Sequence, residues 1–174
     1  RVDHGDAFLD TGEMERQRGI TIFSKIARLS MPGGRIILLD TPGHADFTPE
    51  TERTLAVLDY CILVINGADG ITHQTRRLWD LLEIYNVPVF VFVNKTDQEG
   101  VDPGQVYRDL RRELSDRILD FTAEDLLRTE ELATLSEPLL EAFLGSGSAP
   151  EALVRESIRQ RQVMPCYFGS ALKD

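Results

Sequence analysis

Apolar positions along the chain fall into two alternating periodicities, and that alternation predicts an α/β fold. Thr21 to Leu29 reads as a strand, Met31-Pro-Gly-Gly34 as a turn and Ile36 to Leu39 as a second strand, so the first two strands form a hairpin. Cys61-Ile-Leu-Val-Ile65 and Val89-Phe-Val-Phe-Val93 are near-continuous apolar runs, the pattern of parallel strands covered on both faces. Met164 to Phe168 is a shorter final strand. Helical spacing fills the intervals. Thr48 before Pro49 is an N-cap with proline at the first helical position, opening a helix that ends near Leu58. Leu78, Leu81, Leu82 and Tyr85 repeat at helical spacing. Asp102 followed by Pro103 starts another helix, with Val106, Leu110, Leu114 and Ile118 on one face. Ser148 and Glu151 have capping-box spacing and begin a helix running to about Gln160.

Residues 122–147 break the rhythm. They read as two short acidic helices, Glu124–Arg128 and Glu137–Phe143, and a loose loop, Gly145-Ser-Gly-Ser148. The expected organisation is one domain over residues 1–174 with a helical insertion around 122–150.

Composition narrows the function classes. The formal net charge of −10 argues against a broad basic face for RNA, so no direct nucleic-acid binding is expected of this acidic chain. Of 19 basic residues only Lys25, Lys95 and Lys173 are lysines; the arginine bias suits bidentate anion contacts, but a GC-rich genome is the better explanation of it. Cys61 and Cys166 sit in apolar runs and read as free thiols. Three scattered histidines lack the spacing of a structural metal site. The apolar runs are too short to cross a bilayer, so no membrane partner is expected.

Candidate chemistry gathers at predicted strand ends. Asp40-Thr41-Pro42-Gly43-His44 follows the second strand directly. A carboxylate at the carboxyl end of a strand lies where α/β sheets bind ligands, and there it can hold Mg²⁺ through water. Gly43 lets the backbone approach a terminal phosphate oxygen, and His44 can orient a water for in-line attack. The same four residues, Asp-Thr-Pro-Gly, are also ordinary turn chemistry. Asn94-Lys95-Thr96-Asp97 follows Val93; an Asp there can accept the N1–H and 2-amino donors of guanine, a pair adenine does not offer. The stem of Lys95 can cover the base plane. Ser170-Ala171-Leu172, after the last strand, can offer backbone N–H to the guanine oxygen, though three such residues prove little alone. Thr21 ends the polar segment Glu15-Arg-Gln-Arg-Gly-Ile-Thr21, where a hydroxyl can complete a Mg²⁺ shell and sense the γ-phosphate; a lone threonine at a strand start is more often structural.

Order, spacing and placement of these four segments agree, and together they resemble the translational GTPases of the elongation factor G class. Glu15–Thr21, Asp40–His44, Asn94–Asp97 and Ser170–Leu172 match that family's switch I, switch II, guanine-specificity and final guanine-contact motifs. Glu15–Ile22, Leu55-Ala-Val-Leu-Asp59 and Asn94–Asp102 carry a further likeness to the tetracycline-resistance ribosomal protection proteins. The resemblance implies a P-loop NTPase-type fold, three layers around a mostly parallel sheet. It implies GTP/GDP and Mg²⁺ as ligands, with Thr21 and Asp40 serving the metal, Gly43 the γ-phosphate and His44 the hydrolytic water. It implies Asn94, Lys95, Asp97, Ser170, Ala171 and Leu172 around guanine, a ribosomal partner and a cytoplasmic setting.

One departure stands out. No G-x-x-x-x-G-K-[S/T] motif precedes Lys25, Lys95 or Lys173, and the resemblance places that loop, with the strand before it, upstream of Arg1. The chain thus reads as a fragment lacking the N-terminal strand and phosphate loop, expected to be poorly stable alone and not to bind or hydrolyse GTP tightly by itself. The competing reading is a catalytically degenerate ribosome- or protein-binding module that kept the fold; intact Thr21, Asp40, His44 and Asp97 speak against decay.

Overall fold

The computed structural model of the protein describes residues 24–43, 48–122 and 126–173. They fall into two compact units, divided between Leu58 and Asp59.

The first unit holds an antiparallel hairpin. Strand β1 (Lys25–Met31) pairs with β2 (Gly34–Asp40), with Met31 opposite Gly34 and Lys25 opposite Asp40. The turn is Pro32-Gly33: proline presets φ at the first position and Gly33 supplies the φ of +100° needed at the second. Among the described residues the first predicted strand runs from Lys25 through Met31, past its expected end at Leu29; Thr21, Ile22 and Phe23 lie outside the described residues. Helix α1 (Thr48–Leu55) follows, shorter than expected, because Val57 and Leu58 close tight turns onto Thr54 and Leu55 carbonyls instead of continuing the helix. The capping role assigned to the Thr48 side chain lies outside the described residues. Thr51 and Thr54 are buried polar residues with partners: Thr51 Oγ1 donates to the Pro42 carbonyl at 2.9 Å, and Thr54 Oγ1 lies 2.8 Å from Ser24 Oγ.

The second unit is built on four parallel strands: β3 (Cys61–Asn66), β4 (Val89–Asn94), β5 (Ile118–Asp120) and β6 (Met164–Phe168), in spatial order β3-β4-β6-β5. The α/β class with a parallel sheet is as the sequence predicts. Between the strands run α2 (His73–Ile84), α3 (Pro103–Glu113), α4 (Glu130–Ala133), α5 (Glu137–Ser146) and α6 (Glu151–Arg159). Cap chemistry explains several starts. Thr72 and Thr75 form a reciprocal capping box for α2, and Asp102 accepts the Gly104 N–H at 2.9 Å ahead of Pro103 in α3. One sheet face is closed by buried Val89, Val91, Val93, Leu63 and Ile65, and the buried side of α2 is Thr75, Trp79 and Leu82. Tyr85, placed on that stripe from spacing, is instead exposed at the helix end.

Four expectations need correction. Ile118 is not the last turn of a helix: α3 stops at Glu113, and Ile118 begins β5 opposite Met164. Its apolar side chain fits either period, and pairing with β6 decided the matter. Strand β3 is not covered on both faces among the described residues, since Ile62 and Val64 are 61% and 58% exposed while Leu63 and Ile65 are buried. Ser148 does not cap α6; Pro150 holds the N-cap position without a side-chain bond, and the Ala149 N–H is tied to the Leu127 carbonyl. The Gly145–Ser148 stretch is not a loose loop, because α5 runs through Ser146 and ends on Gly147 at φ +73°, in the left-handed cap conformation glycine allows.

Residues 126–159 do more than decorate the frame. A 3₁₀ turn at Leu126–Arg128, then α4, α5 and α6, bury Leu132, Leu139, Ala149, Val154 and Ile158 with Leu119 and Val163 in one apolar cluster. Arg161 fastens the other end: its buried guanidinium donates to the Leu82 carbonyl at 3.0 Å and to the Val87 carbonyl, at the close of α2 and the start of β4. Burial pulls its pKa below the ordinary value. Both thiols are free, and desolvation pushes Cys61 up to about 11 and Cys166 to about 12, so neither is a nucleophile near neutral pH.

Candidate functional site

Strands β4 and β6 are parallel neighbours in register, Val93 opposite Phe168, so the loops leaving their carboxyl ends emerge side by side. That adjacency brings Asn94–Asp97 and Gly169–Lys173 together although more than 70 residues separate them in sequence. Backbone bonds weld the loops. The Gly169 N–H donates to the Val93 carbonyl at 3.1 Å, and the Gly169 carbonyl accepts both the Thr96 N–H, at 3.2 Å, and Thr96 Oγ1, at 3.1 Å. Asn94 Oδ1 accepts the N–H of Lys95 at 2.8 Å and of Ala171 at 3.0 Å, one side chain spanning both loops. Lys95 takes a left-handed conformation, φ +61°, which only over-determined surroundings hold in a residue with a Cβ.

Asp97 carries the charge of this corner. Lys173 Nζ lies 3.0 Å from its Oδ2, and the Ser170 hydroxyl bonds to the same carboxylate. The Ser170 bond, then that of Lys173, hold the carboxyl below its usual range, so it is an anion at neutral pH. Ser170 is buried, and the Lys173 N–H closes a turn onto its carbonyl at 2.8 Å. A third loop buttresses the first. The Gly67 N–H donates to the Asn94 carbonyl at 2.8 Å, and a Cβ on Gly67 would sit 3.0 Å from Val101 Cγ1 and 3.2 Å from that carbonyl oxygen.

The fold brings Asn94, Lys95, Asp97, Ser170 and Ala171 side by side, and Leu172 is an exposed neighbour. Sequence reasoning missed Thr96, Gly67 and Lys173. For Lys173 a signal existed: a lysine three residues after Ser170, at turn spacing, beside an expected carboxylate. Ala171 differs from expectation in one respect, because its N–H is already given to Asn94 Oδ1.

In the first unit, Asp40 closes β2, and residues 41–43 follow it, tied to α1 through Thr51 and the Pro42 carbonyl. Gly43 is exposed; among the described residues a Cβ there would meet nothing within 4 Å, and its φ is not positive. Thr21 and His44 lie outside the described residues. No group of three or more His, Cys, Asp or Glu that could hold a metal ion occurs among the described residues. No described helix is long and apolar enough to cross a membrane.

Joined loops at the carboxyl ends of parallel strands, with an anionic aspartate bonded to a buried serine, lie where α/β proteins commonly bind ligands. Comparison with known proteins agrees with that class: residues 1–174 match the family described as the elongation factor Tu GTP binding domain, and the chain belongs to it. Tetracycline resistance protein TetO of Campylobacter jejuni is 36% identical over 186 residues, covering 98% of this chain and 29% of that protein. Tetracycline resistance protein TetM of Staphylococcus aureus is 37% identical over 187 residues, with the same coverage. A crystal structure of a Thermus thermophilus protein superposes with a TM-score of 0.81 at 24% identity, over 98% of this chain and 32% of that one, a likeness of fold. The chain spans less than a third of the length of these relatives.

Proposed function

We propose that the intact protein is a ribosome-associated GTPase of translation, of the elongation factor G or ribosomal protection type, and that residues 1–174 form one guanine-nucleotide domain with the helices around 122–150 as an insertion on it. The observation that carries the reading is the Asp97 carboxylate, ionised and held between two loops joined by Asn94. Guanine presents two donors to such a carboxylate and adenine presents none in that arrangement, so discrimination has a direct cause. The buried Ser170 hydroxyl orients the carboxylate, and the Lys95 stem covers the base.

The remaining roles follow from family membership. Asp40 and Thr21 serve Mg²⁺, which neutralises phosphate charge when bound; Gly43 offers its N–H to the γ-phosphate; His44 orients the hydrolytic water. The ribosome is the partner and the cytoplasm the setting. The 174 residues contain no glycine-rich phosphate loop, so they do not bind GTP tightly on their own. Competition binding on the intact protein tests the assignment: GTP should displace a fluorescent GDP analogue, and ATP should fail at about a hundredfold excess. Equal displacement by both would end the guanine reading. His44→Ala should keep that binding while slowing hydrolysis; unchanged hydrolysis would remove His44 from the mechanism.

A further inference from the structure

Among the described residues, Lys173 is the cation bonded to the carboxylate expected to read the base, and the family reading gives it no task. Its ammonium sits 3.0 Å from Asp97 Oδ2 on a side chain that is 66% exposed, while the Asp97 side chain is 29% exposed. The lysine is fixed at its root, because its N–H closes the turn onto the Ser170 carbonyl, and solvated at its tip. Of about four lone-pair positions on the carboxylate, the Ser170 hydroxyl and Lys173 take two, and a guanine edge needs one on each oxygen, Oδ2 included. The ion pair and the base therefore draw on the same atom.

We propose that Lys173 is a specificity-tuning residue: its ammonium competes with the 2-amino and N1–H donors of guanine for the Asp97 carboxylate, so that binding the base exchanges one set of donors for another. This rests on the reading of Asp97 as the guanine selector. Hypoxanthine has the N1–H donor but no 2-amino group and needs only one carboxylate oxygen, so it leaves the lysine in place. The exchange thus weakens guanine binding more than hypoxanthine binding. The ion pair is largely solvated, so the effect is modest, and it keeps nucleotide affinity below what Asp97 alone would give.

The test compares GDP and inosine diphosphate binding to the intact protein, wild type against Lys173→Met and Lys173→Arg. Lys173→Met should bind GDP about twofold to fivefold more tightly, with a smaller change for inosine diphosphate. Lys173→Arg retains the ion pair and should stay near wild type. In an Asp97→Asn background the gain from Lys173→Met should vanish, a coupling that a general charge effect on the phosphates does not produce. Loss of a positive charge near a polyanion would by itself weaken binding, so the predicted sign is diagnostic. Equal or weaker GDP binding by Lys173→Met, or equal gains for both nucleotides, overturns the proposal while leaving Asp97 as selector. Wild-type protein that binds no GDP at all would overturn the selector reading, and this proposal with it.

Discussion

The hairpin β1–β2 and the pair β3–β4 are drawn from the same apolar alphabet, yet they live in different surroundings. Ile26, Ile37 and Met31 of the hairpin are 63%, 64% and 55% exposed, whereas Val91 and Val93 of β4 are fully buried. Each strand pair ends in candidate chemistry, Asp40–Gly43 on one and Asn94–Asp97 on the other. The proposed base-reading corner is thus mounted on a closed core and fixed by bonds reaching three loops. Residues 41–43 follow a hairpin that is largely exposed in this chain and are anchored to α1 through Thr51 and the Pro42 carbonyl.

The largest effect that sharpens this contrast is loss of the sheet's support. Leu110 is completely buried on α3, and Leu110→Ala should cost about 2–5 kcal/mol in thermal or denaturant unfolding. Arg161→Met should come next, at about 1–3 kcal/mol, because it strips the donor from two buried carbonyls between α2 and β4. Ile37→Ala on the exposed ribbon should cost about 0.5 kcal/mol or less when measured on the 174-residue chain. A hairpin substitution as costly as the core one would erase the distinction between the two regions.

Legibility in the sequence followed the same division. Strands whose neighbours are set by a parallel register, β3, β4 and β6, were readable because long β-branched and aromatic runs have one comfortable environment. The three-residue strand β5 was not, since Ile118 continues a helical stripe as well as it starts a strand, and only Met164 opposite it decides. The acidic stretch 122–147 hid its role for a related reason: Leu132 and Leu139 are too few for a periodic signal, yet they fill a cluster whose other members, such as Leu119 and Val163, lie elsewhere in the chain. At the site, residue types and spacing pointed to Asn94, Asp97 and Ser170, but not to the Asn94 side-chain Oδ1 accepting from Lys95 and Ala171, nor to Lys173 reaching Asp97. Those are consequences of two loops meeting.

The smallest expected effect is a pH effect that does not appear. Asp97 is held below the usual carboxylate range, first by Ser170 and then by Lys173. A lowered folded-state pKa means that the anion, and whatever depends on it, persists above the ordinary value and is lost only as pH falls through the lowered one. Preference for GTP over ATP should therefore be flat from about pH 7 to about pH 5. A decline across that interval would show that the carboxylate is not held as described.

The measurement that bears most directly on the account is the nucleotide preference of Asp97→Asn in the intact protein. The carboxylate accepts two donors from guanine, and each charge-assisted bond is worth roughly 1.5–3 kcal/mol, so the wild type should favour GTP over xanthosine triphosphate strongly. An amide in its place donates to the 2-oxo group of xanthine, and the preference should invert. If Asp97→Asn keeps the wild-type preference for GTP, the corner formed by Asn94–Asp97 and Gly169–Lys173 does not read the base.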